Sequence, residues 1–200
     1  MDNETTLATL LARRSVSPKR LTHPAPSREA LNSIIGAALR APDHGGLLPW
    51  RVIEFAAETR DDLAALFAAE KLRRDPIASD QDVARAREHA THAPTVLAFI
   101  VRPQRHVLVP VFEQWLSAGA ALGSILSATH LLGFGAIMLS GERCQDEPLR
   151  IALGLQADEV LAGFISIGTI AKAPPPAVRP PRERVWSRWA SASLKTTNSH

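Results

Sequence analysis

Arg13, Arg14 and Ser15 stand side by side in "LLARRSVSPKR" (residues 10–20). Two guanidiniums and a hydroxyl make a dense set of donors, the kind that grips a phosphate. The same residues also serve as cations at the end of an apolar helix. There they meet the negative end of the helix dipole, an effect of about 0.3–1 kcal/mol. A solvated pair, a nucleic-acid contact and a kinase target stay open on these residues alone. A second cluster lies in "RAPDHGGLLPW" (40–50), where Arg40 and His44 flank a Pro/Gly turn before a strand. Loops of this chemistry suit planar polar ligands. His44 taken alone reads equally as a surface loop residue, and Trp50 as core.

Other chemistries lack their residues. The sequence has no GxGxxG after a strand, no Walker lysine, no GxSxG, no HExxH and no CxxC. It has no tyrosine at all. His89 and His92 are three apart on an expected helix, but no third ligand is near, so they read as surface residues rather than a metal site. Cys144 reads as an ordinary, semi-exposed thiol. One cysteine excludes an intrachain disulfide framework and fits a reducing, cytoplasmic setting. The acidic, polar start "MDNETTLATL" does not read as a secretory signal.

These residues must be positioned by a chain of 200 residues, a length that suits one domain with a real core. Its 46% hydrophobic and 22% charged content is that of a globular protein. A net charge of +3 is too mild to argue for nucleic acid. Leu7, Leu10 and Leu11 share a face, which predicts a helix over 3–14. Ser27 caps a second helix through Arg40. "TRDD" (59–62) and "SDQD" (79–82) match capping boxes and open two more.

"RVIEFA" (51–56), "TVLAFIV" (95–101), "GAIML" (135–139) and "EVLAGFISIG" (159–168) read as strands. Pro110 opens a long helix to about Leu132, rich in Ala, Gly and Ser, so other backbones can approach it closely. Leu116 to Leu139 is long enough to span a bilayer. Its serines and the Gly133-Phe134-Gly135 break argue instead for a buried helix, a turn and a buried strand. A short helix is expected from near Pro148 to Gly154. Helices and strands alternate, though too irregularly for a simple βαβ series.

Four blocks carry a resemblance. "ARRSVS", "ALRAPDHGGLLPWRV", "WLSAGAALGSILSATHLLGFGAIMLSGE" and "DEVLAGFISIGT" follow one another as in the nitroreductase family, in its short branch of NAD(P)H nitroreductases. The likeness runs from about residue 5 to 170. It implies an α+β fold with a central mixed or antiparallel sheet flanked by helices, in an intertwined homodimer with FMN at the interface.

It implies one FMN-binding domain over 1–172; the shift in composition at about residue 171 marks a Pro/Arg/Trp-rich arm over 173–200 whose polar end is expected to fray. Arg13, Arg14 and Ser15 would then hold the FMN phosphate and reach the flavin. Arg40 and His44 would contact FMN, often from the partner chain. Met138, Leu139 and Ser140 would lie along the ring. Ala128, Thr129, His130, Leu131, Leu132 and Gly133 are the segment assigned to NAD(P). Met138-Leu139 departs from the Trp-Arg pair of the relatives compared, removing a cation and an aromatic beside the ring.

The implied activity is reduction of nitroaromatic or quinone acceptors by NAD(P)H in a ping-pong cycle. The flavin carries the chemistry, and no side chain is expected to act as a catalytic acid or base. A rival reading keeps the fold and drops turnover, giving a flavin-binding or redox-sensing protein. A second rival uses Arg179, Arg182, Arg184 and Arg188 with Trp186 and Trp189 to bind single-stranded nucleic acid. An arm wrapped on the partner subunit, with the tryptophans as anchors, explains the same residues more simply.

Overall fold

The computed structural model describes residues 3–189. Five strands form the sheet: β1 (Leu21–Thr22), β2 (Trp50–Phe55), β3 (Thr95–Val101), β4 (Gly135–Leu139) and β5 (Val160–Ile170). Six helices surround it: α1 (Asn3–Leu11), α2 (Arg28–Ala38), α3 (Arg60–Arg74), α4 (Asp80–Thr91), α5 (Val111–Leu131) and α6 (Glu147–Ala152). β5 is the hub, pairing with β1, β3 and β4, and β2 lies on the far side of β3. Every pairing between named strands is antiparallel. The sheet is thus antiparallel rather than mixed; its one parallel element is an isolated bridge from Ser15 to Ala136.

All seven residues of β3 are buried, as its unbroken apolar run predicts for a strand covered on both faces. One core packs Leu63, Phe67, Ala90 and Leu149 of α3, α4 and α6 against Val96, Ala98 and Ile100. The other packs Leu31 and Ile34 of α2 and Ala118, Ala121 and Ile125 of α5 against Leu97, Phe99 and Val101. The alternation along β3 therefore sorts two helical layers onto opposite faces. Trp50 is buried and stacks on Phe99 at 6.0 Å, a core residue as expected.

The predicted caps divide. Ser27 Oγ accepts from Ala30 N–H, and Ser79 Oγ accepts from Asp82 N–H. Thr59 does not cap α3: a 3-10 turn at Ala57–Thr59 precedes the helix, and its hydroxyl donates to Ala56 O instead. The first helix stops at Leu11, three residues short of its expected end. The candidate span at 116–139 divides into α5, a turn at Gly133 and β4. No helix among the described residues is long and apolar enough to cross a membrane.

After β5 the chain runs without a strand to a 3-10 turn at Arg182–Arg184, largely exposed. It first packs back on the body of the chain. Arg20 Nη1 donates to Ala173 O at 2.7 Å, and Arg179 Nη2 donates to Arg13 O at 3.0 Å. The polar end expected to fray, 190–200, lies outside the described residues.

Candidate functional site

The early end of α1 changes the meaning of the arginine pair. Arg13 and Arg14 lie just past the helix, where Arg13 N–H closes the last turn on Leu10 O at 3.1 Å. A dipole contribution of about 0.3–1 kcal/mol leaves both side chains without a hydrogen-bonding partner among the described residues. Both are half-buried, and no hydrogen bond or ion pair reaches either guanidinium among the described residues. What fixes the segment is β4. Val16 N–H donates to Ala136 O at 2.9 Å, and Ser15 pairs with Ala136 in the isolated bridge.

Gly135 makes this docking possible. A Cβ there would sit 2.8 Å from Ile170 Cγ1 and Leu21 Cδ2 and 3.1 Å from Val16 Cβ. The bond from Ala136 also identifies which edge of β4 faces away from β5. Backbone groups alternate along a strand, so Met138 presents its N–H and C=O at that same outer edge. Beyond Ala136 no described strand pairs with it. From Ala136 to Leu139 this edge runs about 10 Å. Arg13–Ser15 thus sit at one end of an open strand edge and Met138, Leu139 and Ser140 at the other. The structure brings these two predicted segments together.

Beside the end of β4 lies a cavity of about 270 Å³. Leu139, Ser140 and Gly141 form one side; Phe67, Phe164 and Ser166 supply further walls. Arg74, Glu142 and Arg143 also line it, residues that the sequence did not single out for this role, and Glu70 anchors the two arginines from behind. Glu70 is 1% exposed, with both carboxylate oxygens engaged: Oε1 by Arg74 Nε at 2.7 Å, Oε2 by Arg143 Nε at 3.2 Å. The Arg143 guanidinium stacks over Phe67 at 3.9 Å. Burial pulls the Arg143 pKa down against the pull of Glu70. The spacing of Glu70 and Arg74, four apart on a helix, is a signal that sequence could have used. The Arg143 contact crosses 73 positions and left none.

His89 reaches this cavity as well, and His92 Nδ1 is spent on Glu88 O. Partial loss of hydration and the Arg143 charge lower the His89 pKa. No group of three or more metal-ligating residues occurs among the described residues. Cys144 is buried rather than semi-exposed, because it joins the core under α6, and desolvation pushes its thiol up.

The remaining predicted residues lie elsewhere. His44 Nδ1 pairs with Glu113 Oε2 at 2.7 Å, at the first turn of α5. Gly45 and Gly46, both at positive φ, form the tight turn here, and Asp43 Oδ2 accepts from Leu48 N–H. Arg40 is exposed just past α2, with no side-chain partner among the described residues. The last turn of α5 touches α1 instead, through His130 Nε2 and Thr9 O at 2.9 Å. The 21 residues of α5 span about 30 Å. Within one chain, His44 and the Arg13–Ser15 segment therefore lie at opposite ends of that helix.

The 128–133 segment is the end of α5 and its cap. Thr129 is fully buried with its hydroxyl on Ile125 O, and Ala128 packs in the core. Leu131, Leu132 and Gly133 are exposed.

An antiparallel five-stranded sheet between two helical layers, with a donor-rich segment docked on its β4 edge, is the nitroreductase-like α+β fold. The chain belongs to the nitroreductase family, whose sequence profile matches residues 10–169. It is 33% identical over 166 residues to "Putative NAD(P)H nitroreductase YdjA" of Escherichia coli, covering 82% of this chain and 87% of that one. It is 35% identical over 162 residues to a Haemophilus influenzae protein of similar description, covering 80% and 86%. Among solved structures, a nitroreductase-like family protein from Bacillus cereus superposes with a TM-score of 0.79 at 18% identity, covering 96% of this chain and 99% of that one. A nitroreductase from Desulfovibrio desulfuricans, solved in complex with FMN, gives 0.71 at 25% identity, covering 96% and 100%.

Proposed function

We propose that this oxidoreductase-family chain is an FMN-dependent NAD(P)H oxidoreductase that reduces nitroaromatic or quinone acceptors as a homodimer. The observation that carries the reading is the docking of Arg13-Arg14-Ser15 on β4, beside a strand edge with no partner. An anionic phosphate is the ligand that two unpaired guanidiniums and a hydroxyl fit best. The backbone edge at Met138 offers one donor and one acceptor to a planar heterocycle. The relatives support the same cofactors by their descriptions.

FMN, when bound, would accept a hydride from NAD(P)H and pass two electrons to an acceptor. The chain's own part is binding and electrostatics. Arg13 and Ser15 hold the phosphate end. Arg14 would supply positive charge beside the bound flavin, which would favour its anionic reduced state. Leu139 and Ser140 line the ring's position at the end of β4. Leu131, Leu132 and Gly133 offer the exposed part of the segment assigned to NAD(P).

Arg40 and His44 join the site from the second subunit. The separation along α5 supports this, since one FMN cannot touch both ends of a helix about 30 Å long. The outward face of α5 supports it too. Phe112, Trp115 and Leu116 are exposed there, followed by Gly119 and Gly123, whose missing side chains leave open space. An apolar stripe with small residues suits a close helix-to-helix contact between copies.

The test is FMN binding followed by titration with NAD(P)H. Uptake of FMN, bleaching by NAD(P)H and reoxidation by a quinone or nitro compound are expected. Bleaching without reoxidation by either acceptor would favour the redox-sensing alternative.

A further inference from the structure

We propose that the cavity at the end of β4 is an oxygen-recognition subsite in which Arg143 holds the electron-rich oxygen of a planar conjugated ring. The inference rests on the flavin-dependent reading above. It assigns a binding role to a residue outside both predicted segments.

The walls decide the ligand's shape. Phe67, Phe164 and Leu139 present apolar surface, so a ring is favoured over a solvated ion. Arg143 decides the polar end. Its Nε is spent on Glu70 and its face on Phe67, and these two contacts fix the plane of the guanidinium. Both terminal nitrogens are left with no acceptor among the described residues, and the side chain is only 17% exposed. A cation held in this way offers preorganised N–H donors at low reorganisation cost. An oxygen that gathers negative charge as its ring takes electrons is the natural partner.

The other charged groups at the cavity offset one another. Arg74 donates Nε to Glu70 and Nη1 to the lining Glu142, and its side chain is 38% exposed against 17% for Arg143. Glu70 has both oxygens engaged. His89 is the remaining titratable wall on α4. Cys144 keeps its proton in the core.

Two sources share this chemistry: a nitro or quinone oxygen of the acceptor, and a carbonyl on the flavin's pyrimidine edge. Arg143→Gln removes the cation. The double variant Glu70→Gln/Arg143→Gln avoids leaving the buried carboxylate short of a partner, and its melting temperature checks folding. The probes are FMN and 4-nitrobenzoate.

If the acceptor is the source, both variants raise the KM for 4-nitrobenzoate about tenfold or more with FMN Kd unchanged. If the flavin is the source, FMN Kd rises by a similar factor and the flavin midpoint potential falls. Arg143→Lys keeps the charge without the fork and falls between. Folded variants with wild-type FMN Kd, midpoint potential and KM would overturn the subsite. Calorimetry of 4-nitrobenzoate with FMN-free protein separates the two claims. Arg143-dependent binding in a wild type that takes up no FMN keeps the subsite and rejects the flavin reading. No binding of either probe rejects both.

Discussion

At the scale of single residues, the arginine pair shows how position overrules composition. As helix-terminal cations Arg13 and Arg14 need no ligand, but α1 ends at Leu11 and leaves them unpaired beside β4. Arg13→Ala is expected to raise the Kd for FMN about tenfold or more, with little change in melting temperature. An unaltered Kd in a fluorescence titration would remove the clamp. Arg60 is the contrasting case, a buried cation with a structural task. It donates to Ala90 O and Ala93 O, closing the end of α4 without a carboxylate partner. Arg60→Ala should cost about 2–3 kcal/mol in denaturant melts, since two buried carbonyls lose a charged donor.

Acid sensitivity also belongs to residues. The Arg73 hydrogen bond holds the Asp146 pKa below its ordinary value, as Arg51 does for Glu159. A depressed carboxylate binds fewer protons folded than unfolded. Its contribution is therefore complete above the unfolded pKa, about 4, and is lost as pH falls through the folded value. Asp146 also caps α6 by accepting from Leu149 N–H. Asp146→Asn should lower stability at neutral pH and flatten its decline below about pH 4. Equal slopes for variant and wild type in pH-dependent melts would contradict this.

At the scale of elements, the strands announced themselves more fully than their partners. The apolar run of β3 and the short run of β4 were legible, and so were the caps at Ser27 and Ser79. β1 was not, because two residues carry no periodicity. The bulge between Phe99 and Ile100 was also hidden, since register depends on the partner strand. Of the candidate site, Arg13–Ser15 and Met138–Ser140 are expected from the family resemblance, and the structure puts the first beside β4 and the second at its end. Their meeting depends on Gly135, whose missing Cβ is a fact of packing. Gly135→Ala would force Val16, Leu21 or Ile170 to move, at about 1–3 kcal/mol. It should also weaken FMN binding without touching the ligand. Calorimetry showing wild-type FMN affinity would mean that the docked segment is not the clamp. The Glu70–Arg143 pair was invisible because it joins two elements far apart in sequence.

At the scale of the whole molecule, the residues proposed to contact FMN fall at opposite ends of α5 within one chain. Arg13–Ser15 and β4 lie at one end, His44 at the other. In the proposed homodimer, a two-fold pairing would bring the two sets together twice. The tail begins against the chain's own body through Arg20 and Arg179, yet Trp186 and Trp189 are 73% and 85% exposed. Removing residues after 172 should therefore shift sedimentation toward monomer and weaken FMN binding in step. A truncated protein that stays dimeric but loses single-stranded RNA or DNA would assign the tail to nucleic acid instead.

The central claim is that the β4 edge and the arginine pair form a flavin site that turns over. The visible absorption spectrum of the purified protein, reconstituted with FMN and then titrated anaerobically with NAD(P)H, tests it most directly. One bound flavin per chain, bleached by the nucleotide and restored by a quinone, is the predicted result. A colourless protein that takes up no FMN would contradict it.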